Sequence, residues 1–267
     1  MKPGSSSQRI KGILPDFVKK IAKILLRYPN VVILPGRPSY AEDGFATIHS
    51  ADFRSDPDFS NAYAAGLQTG SWAGVQWRAH VYSWFALQAY GLEGDFVECG
   101  VNRGGFARMV FDYTPLGNST KKFYLLDTYS GFVAESLNEK EVESGIAAAY
   151  DYGECYEDVV DTFSPFPNAL IVRGRVPDTL SEVQSARVAF LSIDMNCVEP
   201  EIAAAHHFWD RLVPGAIMLL DDYGHPRHRE QKLAFDQFAT EKGVKILSLP
   251  TEQAIIQKPH SYSRAMP

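Results

Sequence analysis

"GDFVECGVNRGG" (residues 94–105) is a short apolar run that reaches an acid and then breaks into glycines. A run of this length bounded by turn residues reads as a strand covered on both faces, and "GGFARMVFDY" (104–113) behind it reads as a helix. The alternation continues downstream. Strands are expected at "KKFYLLD" (121–127), "NALIVRG" (168–174), "ARVAFLSID" (186–194) and "GAIMLLDD" (215–222). Helices are expected near 138–163, near 178–183, at 199–212 and at 229–243, where Gly243 is a natural stop. "VKILSLP" (244–250) and "QAIIQKP" (253–259) close the pattern as two strands joined by a short turn. This predicts an α/β fold with a doubly wound, mainly parallel sheet covered by helices on both faces and an antiparallel C-terminal hairpin strand.

Upstream, "WAGVQWRAHVYSWFALQAYGL" (72–92) carries apolar residues at helical spacing and opens the main domain, 72–267. Residues 1–71 are an N-terminal extension. Within it, 16–28 form an amphipathic basic helix, fit to cover the core or a partner subunit, with weak membrane-surface contact as the other reading. Residues 35–71, rich in Pro, Gly, Asp and Ser, read as a long, partly ordered loop placed as a lid or dimer contact.

The bulk composition restricts the function. At 267 residues and 45% hydrophobic, the chain fills one large domain. Twenty-six basic against 32 acidic residues leave a net charge of -6, which argues against a nucleic-acid-binding surface. Cys99, Cys155 and Cys197 are dispersed and lack metal or disulfide spacing, so a reducing cytoplasm is expected. No run approaches the roughly 18 apolar residues of a membrane span, and no export signal is visible, so no integral membrane contact is expected.

Ligands of such sheets sit at the carboxyl ends of the strands, where the connections reverse direction. There the chain places Glu98, Gly100, Gly104 and Gly105, followed on the next strand end by Asp127, a carboxylate suited to ribose hydroxyls. The loop is not GxGxxG, and Glu98 would repel a phosphate but attract a positive centre. S-adenosylmethionine fits that description, whereas a glycine turn that only solves a packing problem is the plainer alternative.

Asp194 ends one strand and Asp221 and Asp222 end another. Three converging carboxylates need a neutralising partner, and Mg²⁺ or a similar hard cation suits oxygen ligands and would lower the pKa of an acceptor hydroxyl. One aspartate of the pair acting as a helix cap is the alternative.

"GDFVECGVNRGG", "FYLLDTYSGF", "RGRVPDTL", "FLSIDMNCVEPEIAAAHHFWDRLVPGAIMLLDDYG" and "LPTEQAIIQKP" follow in this order over residues 94–259. The set resembles the macrocin O-methyltransferase family, which includes mycinamicin and novobiocin sugar O-methyltransferases. The resemblance implies a class I, Rossmann-like methyltransferase with a seven-stranded sheet. Such an enzyme uses Mg²⁺ and S-adenosylmethionine to methylate a sugar-like small-molecule hydroxyl, often as a homo-oligomer. It places Glu98, Gly100 and Asp127 against the donor with Ser130 nearby, and Val101, Gly104, Thr128 and Gly174 on the same turns are counted with them. Asp194, Asp221 and Asp222 would hold the metal.

Two positions depart from the family pattern. Asn196 stands where relatives carry the second acid of Asp-x-Asp, the proposed base, and an amide takes no proton near neutral pH. Arg175 stands where relatives often have an acid near the adenine. Either the base lies elsewhere, or metal activation suffices, or the acceptor is not a deoxysugar. Candidate replacement bases are His225 and His228 in "DDYGHPRHRE", with plain polar loop residues as the other reading, while His206 and His207 read as structural and Arg227 and Arg229 as solvated and not as an anion site. A donor-binding protein without transferase activity, acting as sensor or scaffold, is the main alternative, and a nicotinamide enzyme is a third, disfavoured by the missing GxGxxG.

Overall fold

The computed structural model describes residues 35–71, 75–146 and 152–260, together with Lys20. The expected helix at 16–28 therefore lies almost wholly outside the described residues.

The region expected to be a loop is instead structured. β1 (Tyr40–Glu42) and β2 (Phe45–Thr47) form an antiparallel hairpin, turned by Asp43 and Gly44 with φ of 53° and 70°. Asp-Gly tolerates two successive positive φ values, which is what a tight hairpin turn needs. Helix α1 (Pro57–Gln68) follows. Asp56 caps it, its Oδ1 accepting from the N–H groups of Asp58 and Phe59 at 2.8 and 3.3 Å, and Pro57 sits in the first turn where its missing N–H costs nothing.

Helix α2 (Gln76–Tyr90) leads into β3 (Asp95–Cys99), α3 (Gly105–Tyr113), β4 (Phe123–Asp127), α4 (Glu139–Ser144) and α5 (Tyr156–Phe163). Then come β5 (Ala169–Arg173), β6 (Val188–Ile193), α6 (Val198–Trp209), β7 (Leu212–Leu220), α7 (Arg229–Lys242), β8 (Leu247–Ser248) and β9 (Ala254–Gln257). The expected helix at 178–183 shrinks to a single 3-10 turn, Leu180–Glu182.

The sheet has seven strands in the order β5-β4-β3-β6-β7-β9-β8. All pairs from β5 to β7 are parallel, and β9 is antiparallel to both β7 and β8, as the sequence predicts. The chain runs outward from β3 to β5 and returns to β6 on the other side of β3. That reversal puts the switch point between the carboxyl ends of β3 and β6.

Alternation along the strands builds two cores. Val97, Leu126, Leu191, Ile193, Met218 and Leu220 meet Phe208 of α6 and Phe235 and Phe238 of α7. Phe96, Phe123, Leu125, Phe190 and Leu219 meet Tyr82 and Ala86 of α2 and Val110 and Phe111 of α3. Phe190 is fully buried in the second core, and truncation to Ala there costs about 3–5 kcal/mol. The same alternation continues past the last strand residues: Asp221 falls on the α2 side and Asp222 on the α7 side.

Helix α1 crosses α3 closely. A Cβ on Gly66 would lie 2.8 Å from the Gly105 carbonyl, and Ser71 Oγ accepts the Gly105 N–H at 3.1 Å, tying residues 57–71 to the loop after β3.

Candidate active site

A cleft of about 1030 Å³ opens at the switch point. The glycine turn forms one end of it. Gly100 takes φ +91°, and a Cβ there would lie 1.8 Å from the Asp194 carbonyl, so the residue must be glycine for β3 and β6 to run side by side into their loops. Gly104 also has a left-handed backbone, but its missing Cβ makes room for Phe163, whose ring a Cβ would meet at 2.5 Å. Among the described residues, Gly104 does not line the cleft and Gly105 does. Val101, Thr128 and Gly174 line it, whereas Ser130 is exposed and not part of the lining, its amide held by Thr128 Oγ1 at 3.3 Å. The cause is local: the turn after β4 places Gly131 at the cleft.

Glu98 is 2% exposed, and its Oε2 lacks a hydrogen-bond partner. Burial pushes its carboxyl well above the usual range, opposed by the buried Tyr82 hydroxyl beside it, with Asp127 and Asp221 adding repulsion. A buried carboxylate oxygen on the cleft wall without a partner suits a cationic ligand. Asp127 is engaged differently from the expectation. Its Oδ2 accepts the Val101 and Asn102 amides at 2.7 and 2.8 Å, and its Oδ1 accepts the Tyr129 amide and the Tyr152 hydroxyl at 2.7 and 2.6 Å. It thereby fixes the glycine turn.

At the other end of the cleft, Asp194, Asp221 and Asp222 each bring one oxygen within 4.8 Å of the others. Neither Asp221 nor Asp222 caps α7, which begins at Arg229, so the capping alternative does not apply. Asp221 accepts from Arg78 Nη1 at 2.7 Å and from Gln253 Nε2 at 2.9 Å. Arg78 also grips both oxygens of Asp43 at 2.6 and 3.1 Å and reaches Glu252 at 3.2 Å, so the β1–β2 turn is tied to the carboxylate cluster. Asp222 Oδ2 has no hydrogen-bond partner. Burial, then repulsion from Asp221, raises the carboxyls of Asp194 and Asp222 well above their usual range. A set of hard oxygens that is largely buried, mutually repelling and incompletely satisfied fits a divalent cation.

Asn196 lies beside this cluster with φ +58°, donating from Nδ2 to Asp194 Oδ1 at 3.3 Å and leaving its own Oδ1 without a partner. The main-chain amides of Met195 and Asn196 both donate to Glu201 Oε1, at 3.0 and 2.9 Å, and Gln231 adds a third bond at 2.8 Å. Burial raises Glu201 to about 8.

The two candidate bases separate. His225 lines the cleft, and burial followed by Arg227 and Arg78 lowers its pKa, so it is neutral; its Nδ1 accepts the Arg227 amide at 3.2 Å and its Nε2 stands 3.9 Å from Glu252 Oε2. His228 lies outside the lining: its Nδ1 is bonded to Gln231, its Nε2 stands 3.8 Å from Asp222 Oδ2, and burial lowers it to about 4. His228 thus sits buried behind Asp222, away from the cleft lining. His206 and His207 sit on α6 outside the cleft, and Arg227 and Arg229 are exposed. Arg175 lines the cleft with its guanidinium held by Ser136, Asp178 and Glu199.

The matching of known proteins bears on the same residues. The model of the macrocin-O-methyltransferase (TylF) family matches residues 84–248, more than half the chain, including the carboxyl ends of β3 to β7. The chain belongs to that family. A curated relative, the 8-demethyl-8-(2,3-dimethoxy-alpha-L-rhamnosyl)-tetracenomycin-C 4'-O-methyltransferase of Streptomyces olivaceus, is 26% identical over 145 residues, 51% of this chain. The match spans 55% of that relative's length. The solved O-methyltransferase NovP superposes with a TM-score of 0.61 at 17% identity, covering 68% of this chain and 80% of that one. The calicheamicin methyltransferase CalS11 gives 0.53 at 15% identity, covering 83% and 99%. These likenesses show the fold. For this TylF-family member, the site residues missed by the sequence reading are Arg78, Asp43, Glu201, Gln253 and Tyr152. Only the Asp-Gly hairpin around Asp43 left a local signal.

Proposed function

We propose that the chain is an S-adenosylmethionine-dependent O-methyltransferase that works with Mg²⁺ on a hydroxyl of a sugar or glycosylated small molecule. The observation carrying this reading is one cleft with two differently prepared ends: the glycine turn with the unsatisfied Glu98 at one, and the Asp194, Asp221 and Asp222 cluster at the other. Family membership and the sugar O-methyltransferase name of the relative from Streptomyces olivaceus support it.

The donor, when bound, supplies a methyl group on a positively charged sulfur, and Glu98, Gly100, Val101, Thr128 and Gly174 line the end that would receive it. A divalent ion held by Asp194, Asp221 and Asp222 supplies charge that stabilises a developing oxyanion. His225 is the base for the acceptor hydroxyl, and Asn196 orients that hydroxyl through its amide. Asp43 and Tyr63, from the extension before residue 72, line the cleft, which supports a part for that extension in enclosing the acceptor. Much of the rate would come from holding donor and acceptor in line.

The test is methyl transfer to a panel of glycosides, read by mass spectrometry, with Asp222→Asn as the comparison. Turnover that disappears in the variant while S-adenosylhomocysteine affinity is kept supports the reading. Retained turnover with lost donor affinity contradicts it. Donor binding without turnover on any hydroxylated acceptor favours the sensor or scaffold alternative, for which Asn196 in place of an acid is the motivating observation.

A further inference from the structure

The carboxylate expected to take the donor's ribose is already filled. Five donors converge on Asp127, and three are main-chain amides, from Val101, Asn102 and Tyr129. Those cannot leave without dismantling the glycine turn and the turn after β4. The Thr128 hydroxyl lies 3.3 Å from Oδ1 but is committed to the Gly131 carbonyl at 2.6 Å, and the remaining donor is the Tyr152 hydroxyl, 2.6 Å from Oδ1, on a side chain that lines the cleft. Burial, then Asp127, raises the Tyr152 phenol well above its ordinary range, so it remains protonated and donates. A phenol and a ribose hydroxyl offer a carboxylate the same kind of O–H donor.

We infer that Tyr152 holds the place of a ribose hydroxyl on Asp127, and that the methyl donor and its spent product bind by exchanging with it. This rests on the methyl-donor reading above. The exchange replaces one hydroxyl-to-carboxylate bond by another, so the ribose contact adds little net affinity and the product leaves more readily. Tyr152 is in this sense a residue that sets donor and product affinity without joining the chemistry.

The experiment is calorimetric titration of S-adenosylhomocysteine, and of its analogue lacking both ribose hydroxyls, into wild type, Tyr152→Phe and Tyr152→Leu, with thermal melts to verify folding. Removing the internal competitor at a charged acceptor predicts S-adenosylhomocysteine binding about tenfold tighter in both variants. The dideoxy analogue, which has nothing to exchange, binds wild type and variants alike. Weaker binding of S-adenosylhomocysteine by the variants would make Tyr152 a direct ligand and overturn the inference. Equal tightening for both ligands would show a steric effect, and no change would show no exchange; either overturns it. Failure of the wild type to bind S-adenosylhomocysteine at all overturns the donor reading as well, which separates the two outcomes.

Discussion

Arg78 Nη1 donates to Asp221 Oδ2 at 2.7 Å, joining the helix on one face of the sheet to the strand end that carries the carboxylate pair. Both groups are buried, at 8% and 2% exposure. Removing one partner leaves a buried charge uncompensated, so Arg78→Leu is expected to lose about 3–5 kcal/mol in urea unfolding. Arg78→Lys keeps the charge but cannot serve Asp43 with a two-pronged contact, and should fall between. Equal stability of wild type and Arg78→Leu would show that Asp221 is not neutralised by this contact.

Gly100→Ala tests the joint between β3 and β6. Its left-handed backbone costs an L-residue roughly 1–2 kcal/mol, to which the 1.8 Å approach of the Asp194 carbonyl adds a clash with main chain. Gly243, the C-cap of α7 with φ +65° and open space around it, is the control. Gly243→Ala should show the backbone cost alone, and Gly100→Ala a far larger loss together with loss of donor binding.

Glu201 gives a pH dependence whose sign follows from its shift. Burial raises it from 4.5 unfolded to about 8 folded, so the folded state binds the extra proton. The associated stability is present below pH 4.5 and is lost as pH rises toward about 8. Glu201→Gln retains an oxygen for the Met195 and Asn196 amides and removes the titration. Melting temperatures of the variant should therefore fall less steeply than those of wild type across that window, by up to about 1.4 kcal/mol per pH unit in free energy. Parallel slopes would count against it.

The two histidines should part kinetically. His225→Gln, losing a base, is expected to lower kcat about 100-fold or more and to flatten the acid limb of the rate profile. His228→Gln, altering a side chain behind Asp222, should lower stability while kcat changes little. The reverse ranking would move the base to His228.

The sheet was legible because strands buried on both faces leave unbroken apolar runs, and their ends expose Glu98, Asp127, Asp194, Asp221 and Asp222 to a reader of the sequence. The hairpin at Tyr40–Thr47 was not, because three-residue strands are too short to show alternation. Helix α1 was hidden inside a stretch rich in turn residues, although Asp56-Pro57 is a proper helix start. Arg78 carries no local mark of its role, since its partner Asp221 is 143 positions away. The same holds for Tyr152 and Asp127: nothing in "FYLLDTYSGF" shows which hydroxyl will reach that carboxylate.

The central claim is that one cleft holds the methyl donor at the glycine turn and a divalent ion at the three aspartates. Calorimetric titration of Mg²⁺ and of S-adenosylhomocysteine into wild type and into Asp222→Asn tests it most directly. The account predicts that wild type binds both ligands and that Asp222→Asn loses the metal while its affinity for the nucleoside stays within about threefold, a difference below 1 kcal/mol. A wild type that binds no S-adenosylhomocysteine, or an Asp222→Asn variant that binds Mg²⁺ as the wild type does, would contradict it.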